Sequence, residues 1–374
     1  MISKPNPGLY VHVPFCRKKC NYCSFYSIEL DGDKTGRFVE AVNRELSSHN
    51  VKHFDTLHVG GGTPSVLDSD KLKSLLSCCI DGGCREKTIE ANPESLTDEK
   101  LKIFEDYGIN RLSIGLQSTE NAELKFLGRI HSYEDFKEAF FMSREFGFEN
   151  INIDLICGFE GQTIEGWREN LYKTLEFNPE HISCYCLGIE KGTPYDKCVK
   201  DGKISVLSED LAAGIFLETD KILTRAGYNH YEISNYARPG KESLHNLKYW
   251  RNLEYLGLGP SSWSCISGKR WWNVPTLEKY LGLVENDRSP LEGSESPENK
   301  VKFYETICLG LRLKEGIDPE ELSGRFGIDF WKIYENTVEK LIAGKLLVKS
   351  ERRICPTLKG MVLNNYVGSE FVLI

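Results

Sequence analysis

The stretch Tyr10-Val-His-Val-Pro-Phe-Cys16-Arg-Lys-Lys-Cys20-Asn-Tyr-Cys23 runs from an apolar strand pattern directly into a loop with three cysteines. The spacing C-x3-C-x2-C supplies three thiolates, and Phe25 stands two positions after the third, so no fourth cysteine follows in this loop. Thiolates are the usual ligands of iron–sulfur clusters, and a [4Fe–4S] cluster held entirely by protein uses four. We therefore predict a [4Fe–4S] cluster on Cys16, Cys20 and Cys23, with one iron left open for another molecule.

Zinc is the rival metal, because C-x2-C is also a zinc spacing. A zinc site requires a fourth ligand, and neither Cys-x2-Cys nor His-x3-5-His returns later in the chain. His12 on the preceding strand is the nearest alternative ligand, although a packed or hydrogen-bonded histidine is commoner on a strand. Most of the other ten cysteines lie in apolar strand or helix patterns, where a free thiol behaves as a small hydrophobic group. The pattern favours the cluster.

Composition narrows the class of protein. The 374 residues suggest two or three units around one large core. A net charge of -8 and a pI near 5.7 give no support to a nucleic-acid-binding surface. No apolar run approaches the roughly 20 residues needed to span a bilayer, and the residues before Cys16 show no signal or transit pattern. We expect a cytoplasmic protein.

The first two hundred residues alternate strand and helix patterns, which predicts an α/β fold with a parallel sheet. Six such units are fewer than the eight of a closed barrel. We therefore expect residues 1–200 to form a partial, TIM-like (β/α)6 barrel. The six predicted strands are Leu9–Phe15, Thr56–Gly60, Lys87–Ala91, Arg111–Gln117, Asn150–Cys157 and His181–Ile189.

Two further units follow the predicted barrel. Residues 201–290 read as a helical and aromatic extension that contains His245-Asn-Leu-Lys-Tyr-Trp250. The acidic, Ser- and Pro-containing segment Glu285–Glu298 is typical of a linker. Residues 299–374 give the order helix, helix, helix, hairpin, which predicts a small winged-helix-like α+β domain. Because this domain lacks a basic stripe, we expect it to pack on the barrel rather than bind DNA.

Polar residues recur where the predicted strands end, which is where ligands bind in parallel α/β folds. The second strand ends in Gly60-Gly-Gly-Thr-Pro64, and glycines there let a ligand approach the main chain. Further along the chain, Glu90, Gln117, Arg129 and Asp154 follow or interrupt apolar strands. A charged residue in an apolar strand needs a partner or a ligand, so the alternatives are a salt bridge inside the barrel and a shared polar site.

These motifs, taken in order, resemble the radical SAM branch that contains oxygen-independent coproporphyrinogen dehydrogenase and HemW. The resemblance rests on the cysteine motif, Gly60–Pro64, Ile114–Ser118, Leu127–His131 and Asn152–Leu155, and it covers nearly the whole chain. It implies a [4Fe–4S] cluster on the three cysteines, with S-adenosylmethionine (SAM) on the open iron. By motif position it also implies that the following residues contact SAM: Tyr10, Gly61, Gly62, Thr63, Glu90, Gln117, Arg129 and Asp154, together with Tyr22 and Gly188.

Within this branch, three features favour the haem chaperone over the dehydrogenase. The dehydrogenase has a longer amino-terminal extension and carries a cysteine where this chain has Phe25. His245-Asn-Leu-Lys-Tyr-Trp250 resembles the HNxxYW signature of HemW proteins. The resemblance implies that the protein binds haem and delivers it to haem-accepting proteins, and a homodimer is expected. The alternative is an enzyme that cleaves SAM and acts on a porphyrin precursor.

His245 is then the candidate haem ligand, because neutral imidazole is a standard axial ligand of haem iron. Tyr249 and Trp250 would line an apolar pocket for the macrocycle. The alternative is that His245 forms hydrogen bonds within the fold while Trp250 belongs to the core. In addition, Trp263 stands where the family usually has a histidine, in a segment that begins at Gly257.

Overall fold

A computed structural model describes residues 5–80 and 83–372. Within these residues the structure has sixteen strands and fifteen α-helices. The strands are β1 Gly8–Val13, β2 Phe15–Cys16, β3 Ile28–Glu29, β4 Thr56–Gly61, β5 Glu86–Ala91, β6 Arg111–Gln117, β7 Ile151–Cys157, β8 His181–Cys186, β9 Asn229–Glu232, β10 Asn235–Ala237, β11 Tyr255–Leu258, β12 Trp263–Ile266, β13 Lys269–Asn273, β14 Leu291–Glu295, β15 Leu347–Ser350 and β16 Arg353–Pro356.

The helices α1 to α8 follow or separate the strands of the sheet, and α11 to α15 belong mainly to the carboxyl-terminal part. They are α1 Gly32–Ser48, α2 Ser69–Cys79, α3 Asp98–Asp106, α4 Asn121–Leu127, α5 Tyr133–Glu145, α6 Ile164–Leu175, α7 Pro194–Lys200, α8 Glu209–Arg225, α9 Leu244–Trp250, α10 Leu277–Val284, α11 Asn299–Gly310, α12 Pro319–Phe326, α13 Phe330–Ala343, α14 Leu358–Val362 and α15 Asn364–Ser369. Among the helices of the described residues, none is both long and apolar enough to cross a membrane.

One large sheet organises the molecule, with the strand order β14-β13-β12-β11-β1-β4-β5-β6-β7-β8-β10-β9. The strands from β11 to β8 in this order are all parallel to their neighbours. Antiparallel strands extend the sheet at both edges. The predicted α/β class and partial barrel are confirmed. The parallel strand β11 was not predicted, because it is only four residues long and contains a glycine.

Local chemistry explains why strand and helix alternate. Every residue of β6 is buried, as expected for a strand covered on both faces. Several helices that follow the strands begin at polar caps whose side chains accept a hydrogen bond from the first turn, which satisfies otherwise unpaired backbone N–H groups. Examples are Asp68 before α2, Thr97 before α3 and Thr163 before α6. Each of these loops is therefore held by a strand at its start and by a capped helix at its end.

The predicted extension, residues 201–290, contains more strand than expected and shares the sheet and hydrophobic core of the barrel. One cluster of buried apolar side chains runs from Leu9 to Val284. The linker predicted at Glu285–Glu298 is wrong for its central part. The segment Leu291–Glu295 forms β14, which pairs with β13 at the edge of the sheet. Its acidic, mostly exposed residues are typical of an edge strand that must not pair further.

The carboxyl-terminal part has its own core, built around Phe303, Phe330 and Tyr334. Helices α11, α12 and α13 are followed by the hairpin β15–β16 and two short helices. This is the order predicted for a winged-helix-like domain at 299–374.

Helix α9, which carries the HNxxYW-like motif, packs against the amino-terminal ends of the parallel strands. Glu86, the first residue of β5, accepts hydrogen bonds from the backbone N–H groups of Leu244 (2.9 Å) and His245 (2.8 Å). Lys248 forms a buried ion pair with Asp55 at 2.6 Å. The cap and the ion pair hold α9 across the amino-terminal end of the barrel, which we call the floor of the barrel.

Candidate cofactor site

One cavity of about 700 Å³ lies inside the partial barrel and opens beside the cysteine loop. All the residues predicted to hold the cluster or SAM line it, whereas His245 does not. These lining residues are Tyr10, Cys16, Cys20, Tyr22, Cys23, Gly61, Gly62, Thr63, Glu90, Gln117, Arg129, Asp154 and Gly188. They come from six parallel strands and the loops that follow them, so the fold brings together residues that are distant in sequence.

The cysteine loop is closed at its base and anchored at its tip. Strand β2, which ends at Cys16, pairs with β3 on the far side of the loop. The Thr63 hydroxyl donates to the sulfur of Cys16 (3.6 Å), and the Arg129 guanidinium donates to the sulfur of Cys20 (3.4 Å). Asn21 is hydrogen-bonded to backbone carbonyls at the end of α4. Two of the three sulfurs therefore accept a hydrogen bond from a side chain, and such hydrogen bonds tune the reduction potential of an iron–sulfur cluster.

The electrostatics of the loop suit a metal-bound rather than a free thiolate. Burial raises the pKa of Cys16, and burial also raises the pKa of Cys23. A bare negative charge is disfavoured there, and a cationic iron centre would compensate for it. Sulfurs bound to one zinc ion would lie about 4 Å apart. Among the described residues, no group of three His, Cys, Asp or Glu side chains converges closely enough to hold a single metal ion.

The glycine run after β4 lies against the strand that leads into the cysteine loop. Gly61 has a φ of +107°, and a Cβ there would lie 2.6 Å from the ring of His12. A Cβ on Gly62 would lie 2.6 Å from the carbonyl oxygen of Phe15. The Thr63 N–H donates to that same carbonyl at 2.7 Å. The glycines thus allow two main chains to meet at the cavity wall.

His12 is a hydrogen-bonded strand residue, the commoner of the two alternatives. Its Nε2 donates to the carbonyl of Tyr26 (2.8 Å), and its Nδ1 accepts from the hydroxyl of Tyr10 (2.9 Å). With both nitrogens engaged and the ring buried, His12 has no lone pair for zinc. The hydrogen bond to His12 also fixes the position of the Tyr10 hydroxyl at the cavity wall.

The carboxylate of Glu90 lies between the glycine run and the ring of His58. Its Oε1 accepts from the Nε2 of His58 (2.8 Å), and its Oε2 accepts from the backbone N–H of Gly61 (3.2 Å). The Nδ1 of His58 is buried without a hydrogen-bond partner in the structure. Hydrogen bonds from the protein thus hold both carboxylate oxygens of Glu90 at the wall of the cavity.

Arg129 ties the cysteine loop to the ends of β5 and β6. Its Nη2 donates to the side-chain oxygen of Asn92 (2.5 Å) and to the carbonyl of Gly115 (3.0 Å). Asn92 donates in turn to the hydroxyl of Thr63 (3.0 Å). A planar guanidinium suits this role because it offers several donors in a fixed geometry. The network connects Cys16 and Cys20 through three side chains.

Gln117 ends β6 in a conformation that few residues other than glycine adopt. Its φ is +72°, and the register between β6 and β7 shifts at this point. Left-handed backbone at such a residue costs about 1–3 kcal/mol and is found mainly at functional sites. The strained backbone turns the Gln117 side chain toward the cavity that it lines.

Asp154 is held on the inner face of β7. Its carboxylate accepts from the hydroxyl of Ser113 (2.9 Å) and the amide of Asn152 (2.9 Å). Burial raises the pKa of Asp154, and the nearby Glu90 raises it further. Glu90 and Asp154 thus give the cavity two acidic side chains, and Arg129 gives it a basic one.

Tyr22 and Gly188 complete the rim. Burial raises the pKa of Tyr22, which keeps its phenol neutral. Gly188 lies in the loop after β8, which ends at Cys186, earlier than the predicted Ile189. The neighbouring Leu187 N–H donates to the carbonyl of Cys157 (2.7 Å), so this loop is attached to β7.

His245 lies beneath the cavity rather than in it. Only 1% of its surface is exposed. Its Nδ1 is hydrogen-bonded to the hydroxyl of Thr56 (2.9 Å) and its Nε2 to the hydroxyl of Tyr249 (2.9 Å). Burial lowers the pKa of His245 well below its usual value. In this arrangement neither nitrogen is free to bind iron, so the geometry favours the alternative, a hydrogen-bonded structural histidine.

The two tryptophans considered for haem binding, Trp250 and Trp263, lie in different environments. The Trp250 ring is covered by the Arg312 guanidinium at 4.6 Å, so it joins α9 to the carboxyl-terminal part. Trp263, in contrast, is 47% exposed and stacks on Trp272 with ring centroids 4.6 Å apart. The residue that replaces the family histidine therefore lies at the surface.

Several cavity residues were missed by the sequence analysis. Asn92 follows β5 directly, and a polar residue at a strand end was the signal that identified its neighbours. His58, Ser113 and Asn152 lie on strands where they alternate with apolar residues, and this period of two assigns them to one face. Tyr249 could not be found in this way, because its place depends on how α9 docks.

Comparisons with known proteins agree with this architecture. Residues 10–171 match the model of the radical SAM superfamily, and residues 298–363 match the HemN C-terminal domain. The structure of coproporphyrinogen III oxidase (HemN) from Escherichia coli, a radical SAM enzyme, superposes with a TM-score of 0.85 at 24% identity. It covers 98% of this chain and 90% of that one, which shows a shared fold.

The curated relatives are more similar in sequence. The heme chaperone HemW of Lactococcus lactis is 36% identical over 100% of this chain and 99% of its own length. HemW of Bacillus subtilis is 31% identical over 97% of this chain and 98% of its own length. A mouse mitochondrial radical S-adenosyl methionine domain-containing protein is 36% identical over 95% of this chain and 85% of its own. With such identity along its whole length, the chain belongs to the HemW family of radical SAM proteins.

Proposed function

We propose that the protein is a HemW-type haem chaperone that carries a [4Fe–4S] cluster completed by SAM. The observation that carries this proposal is the single cavity around which every predicted cluster and SAM residue lies. Family membership supports it, because several relatives at 31–38% identity are named as heme chaperones. Radical SAM family membership also implies both cofactors.

The residues present fit these cofactors. Cys16, Cys20 and Cys23 would hold three irons, and the open iron would take SAM. When bound and reduced, such a centre supplies radical chemistry. The acidic side chains of Glu90 and Asp154 suit the sulfonium charge and the amino N–H groups of SAM, whereas the Arg129 guanidinium suits its carboxylate. The glycine run offers backbone groups at close range.

The cluster, the binding of SAM and the binding of haem can each be tested separately. Protein purified anaerobically is expected to contain four irons and four labile sulfides per chain, to bind SAM and to bind haem. Dominant zinc without labile sulfide would contradict the cluster. A protein with cluster and SAM that fails to retain haem would contradict the chaperone role only.

A porphyrin-precursor enzyme is the second candidate. One observation favours it: the cavity extends from the cysteine loop to Arg111, His181 and Asn246, which are not among the predicted cluster or SAM contacts. This enzyme would release 5′-deoxyadenosine from SAM on reduction and convert coproporphyrinogen III. The deoxyadenosine assay and the haem titration, run on one sample, separate the two candidates.

Haem delivery also implies partners and a compartment. The proposed partners are haem-accepting proteins, the proposed compartment is the cytoplasm, and a homodimer remains part of the proposal. His245→Ala and Trp263→Ala, each titrated with haem, test whether haem uses the floor of the barrel or the exposed tryptophan pair. Because Trp263 is accessible and His245 is not, we expect the larger loss of haem affinity from Trp263→Ala.

A further inference from the structure

Two cysteines outside the cluster loop lie side by side at the ends of neighbouring strands. Cys157 is the last residue of β7, Cys186 is the last residue of β8, and the two are register partners in this parallel pair. Cys157 is 4% exposed, whereas Cys186 is exposed. Neighbouring strands lie roughly 4.8 Å apart, and disulfides span Cα separations of roughly 4.4–6.8 Å. The backbone spacing therefore permits a disulfide without a change of register.

The surroundings keep the two thiols together and leave one of them reactive. A Cβ on Gly158 would lie 2.7 Å from the sulfur of Cys186, so the glycine leaves room for that sulfur. A hydrogen bond with Cys157 lowers the pKa of Cys186 to about 7, and the same contact raises the pKa of Cys157. An exposed thiol that is partly ionised at neutral pH is the kind that reacts with oxidants.

We propose that Cys157 and Cys186 form a reversible thiol–disulfide site, in which the Cys186 thiolate attacks low-molecular-weight disulfides and Cys157 resolves the adduct. The Cys186 thiolate attacks one sulfur of glutathione disulfide, forms a mixed disulfide and releases one glutathione thiolate. Cys157 then attacks the Cys186 sulfur, loses its proton and releases the second glutathione. The two protein thiols are oxidised, and the disulfide is reduced to two thiols.

Oxidation at this position would act on the cofactor cavity. The carbonyl of Cys157 accepts from Leu187, and the next residue, Gly188, lines the cavity together with Cys186 itself. A bond between the ends of β7 and β8 would pull the sulfur of Cys186 to covalent distance from Cys157 and restrain this rim of the cavity. This consequence rests on the proposed binding of SAM in the cavity, whereas the formation of the disulfide does not.

The test uses the cluster-loaded full chain, kept anaerobic and incubated with glutathione disulfide. Mass spectrometry is expected to find the peptides of Cys157 and Cys186 joined and two hydrogens lighter, and dithiothreitol should reverse the change. Cys157→Ser should stop at a glutathione adduct on Cys186. Cys184→Ser is the matched control, because Cys184 lies on the same strand but has Leu155 as its register partner. This variant should form the disulfide normally.

A second readout is the affinity for SAM, measured by equilibrium dialysis before and after oxidation. Oxidation is expected to weaken binding about fivefold in the wild type, a typical size for coupled sites, and to leave Cys186→Ser, which lacks the attacking thiol, at the affinity that this variant has before treatment. Free Cys157 and Cys186 after prolonged treatment would overturn the proposal, and so would a stable glutathione adduct in the wild type. An unchanged affinity in fully oxidised protein would overturn the coupling to the cavity. A failure of the reduced protein to bind SAM would instead refute the proposed function.

Discussion

Replacing His245 by alanine is expected to destabilise the fold rather than to remove a haem ligand selectively. The ring lies between Thr56, which is fully buried, and Tyr249. Its removal leaves two hydroxyl groups without their partner, and each buried unsatisfied group costs about 1–3 kcal/mol. We therefore expect the free energy of unfolding to fall by about 3 kcal/mol, before any cost for the cavity left behind. Typical domains have only about 5–15 kcal/mol in total.

The assay is urea unfolding followed by circular dichroism, with haem titration of the folded protein in parallel. Tyr249→Phe is the control variant, because it removes only one of the two hydrogen bonds and should cost about 1 kcal/mol. In the double variant the two losses should not add, since both remove the same hydrogen bond. An unchanged free energy of unfolding together with complete loss of haem would refute the structural role and restore His245 as the ligand.

Three further predictions concern the cluster, the strained strand end and a buried acid. Cys16→Ser should lose most iron and labile sulfide because serine removes a soft ligand, whereas Cys355→Ser, remote in the carboxyl-terminal part, should keep both. Gln117→Gly should raise the free energy of unfolding by about 1 kcal/mol and weaken SAM binding; stabilisation without any loss of SAM affinity would show that the strain has no functional role. Burial raises the pKa of Glu45 to about 7 from 4.5. The folded state then binds the extra proton, so stability should fall by about 3 kcal/mol as the pH rises from 4.5 to 7. Glu45→Gln should remove that part of the pH dependence. The check is the free energy of unfolding of both proteins, measured in urea at pH 4.5 and at pH 7. An equal change between the two pH values in the wild type and in Glu45→Gln would contradict the prediction.

Much of the barrel was predictable because its determinants are local. The six predicted strands appear with ends shifted by only a few residues, since apolar runs bounded by glycine, proline and capping residues define them. The cavity residues could be identified because parallel strands bring their carboxyl ends to one edge. Glu90, Gln117 and Asp154 are far apart in sequence but share this edge.

Other features depend on tertiary contacts that no local pattern contains. The strand within Leu291–Glu295 has the composition of a linker, and only its pairing with β13 makes it part of the sheet. The role of His245 was open for the same reason. Its partner Thr56 lies 189 residues earlier in the chain, and the Glu86 that caps its helix lies 159 residues earlier. A motif's spacing does not reveal that its helix docks on the floor of a barrel.

The central claim is that the cavity holds a three-cysteine cluster whose fourth position is taken by SAM. The most direct measurement is electron–nuclear double resonance on the reduced protein, prepared with SAM labelled in its methionine amino nitrogen and carboxylate oxygen. Magnetic coupling from both labels to the cluster is predicted, because both groups would bind the open iron. A spectrum of the reduced [4Fe–4S] cluster that is identical with and without labelled SAM would contradict the account.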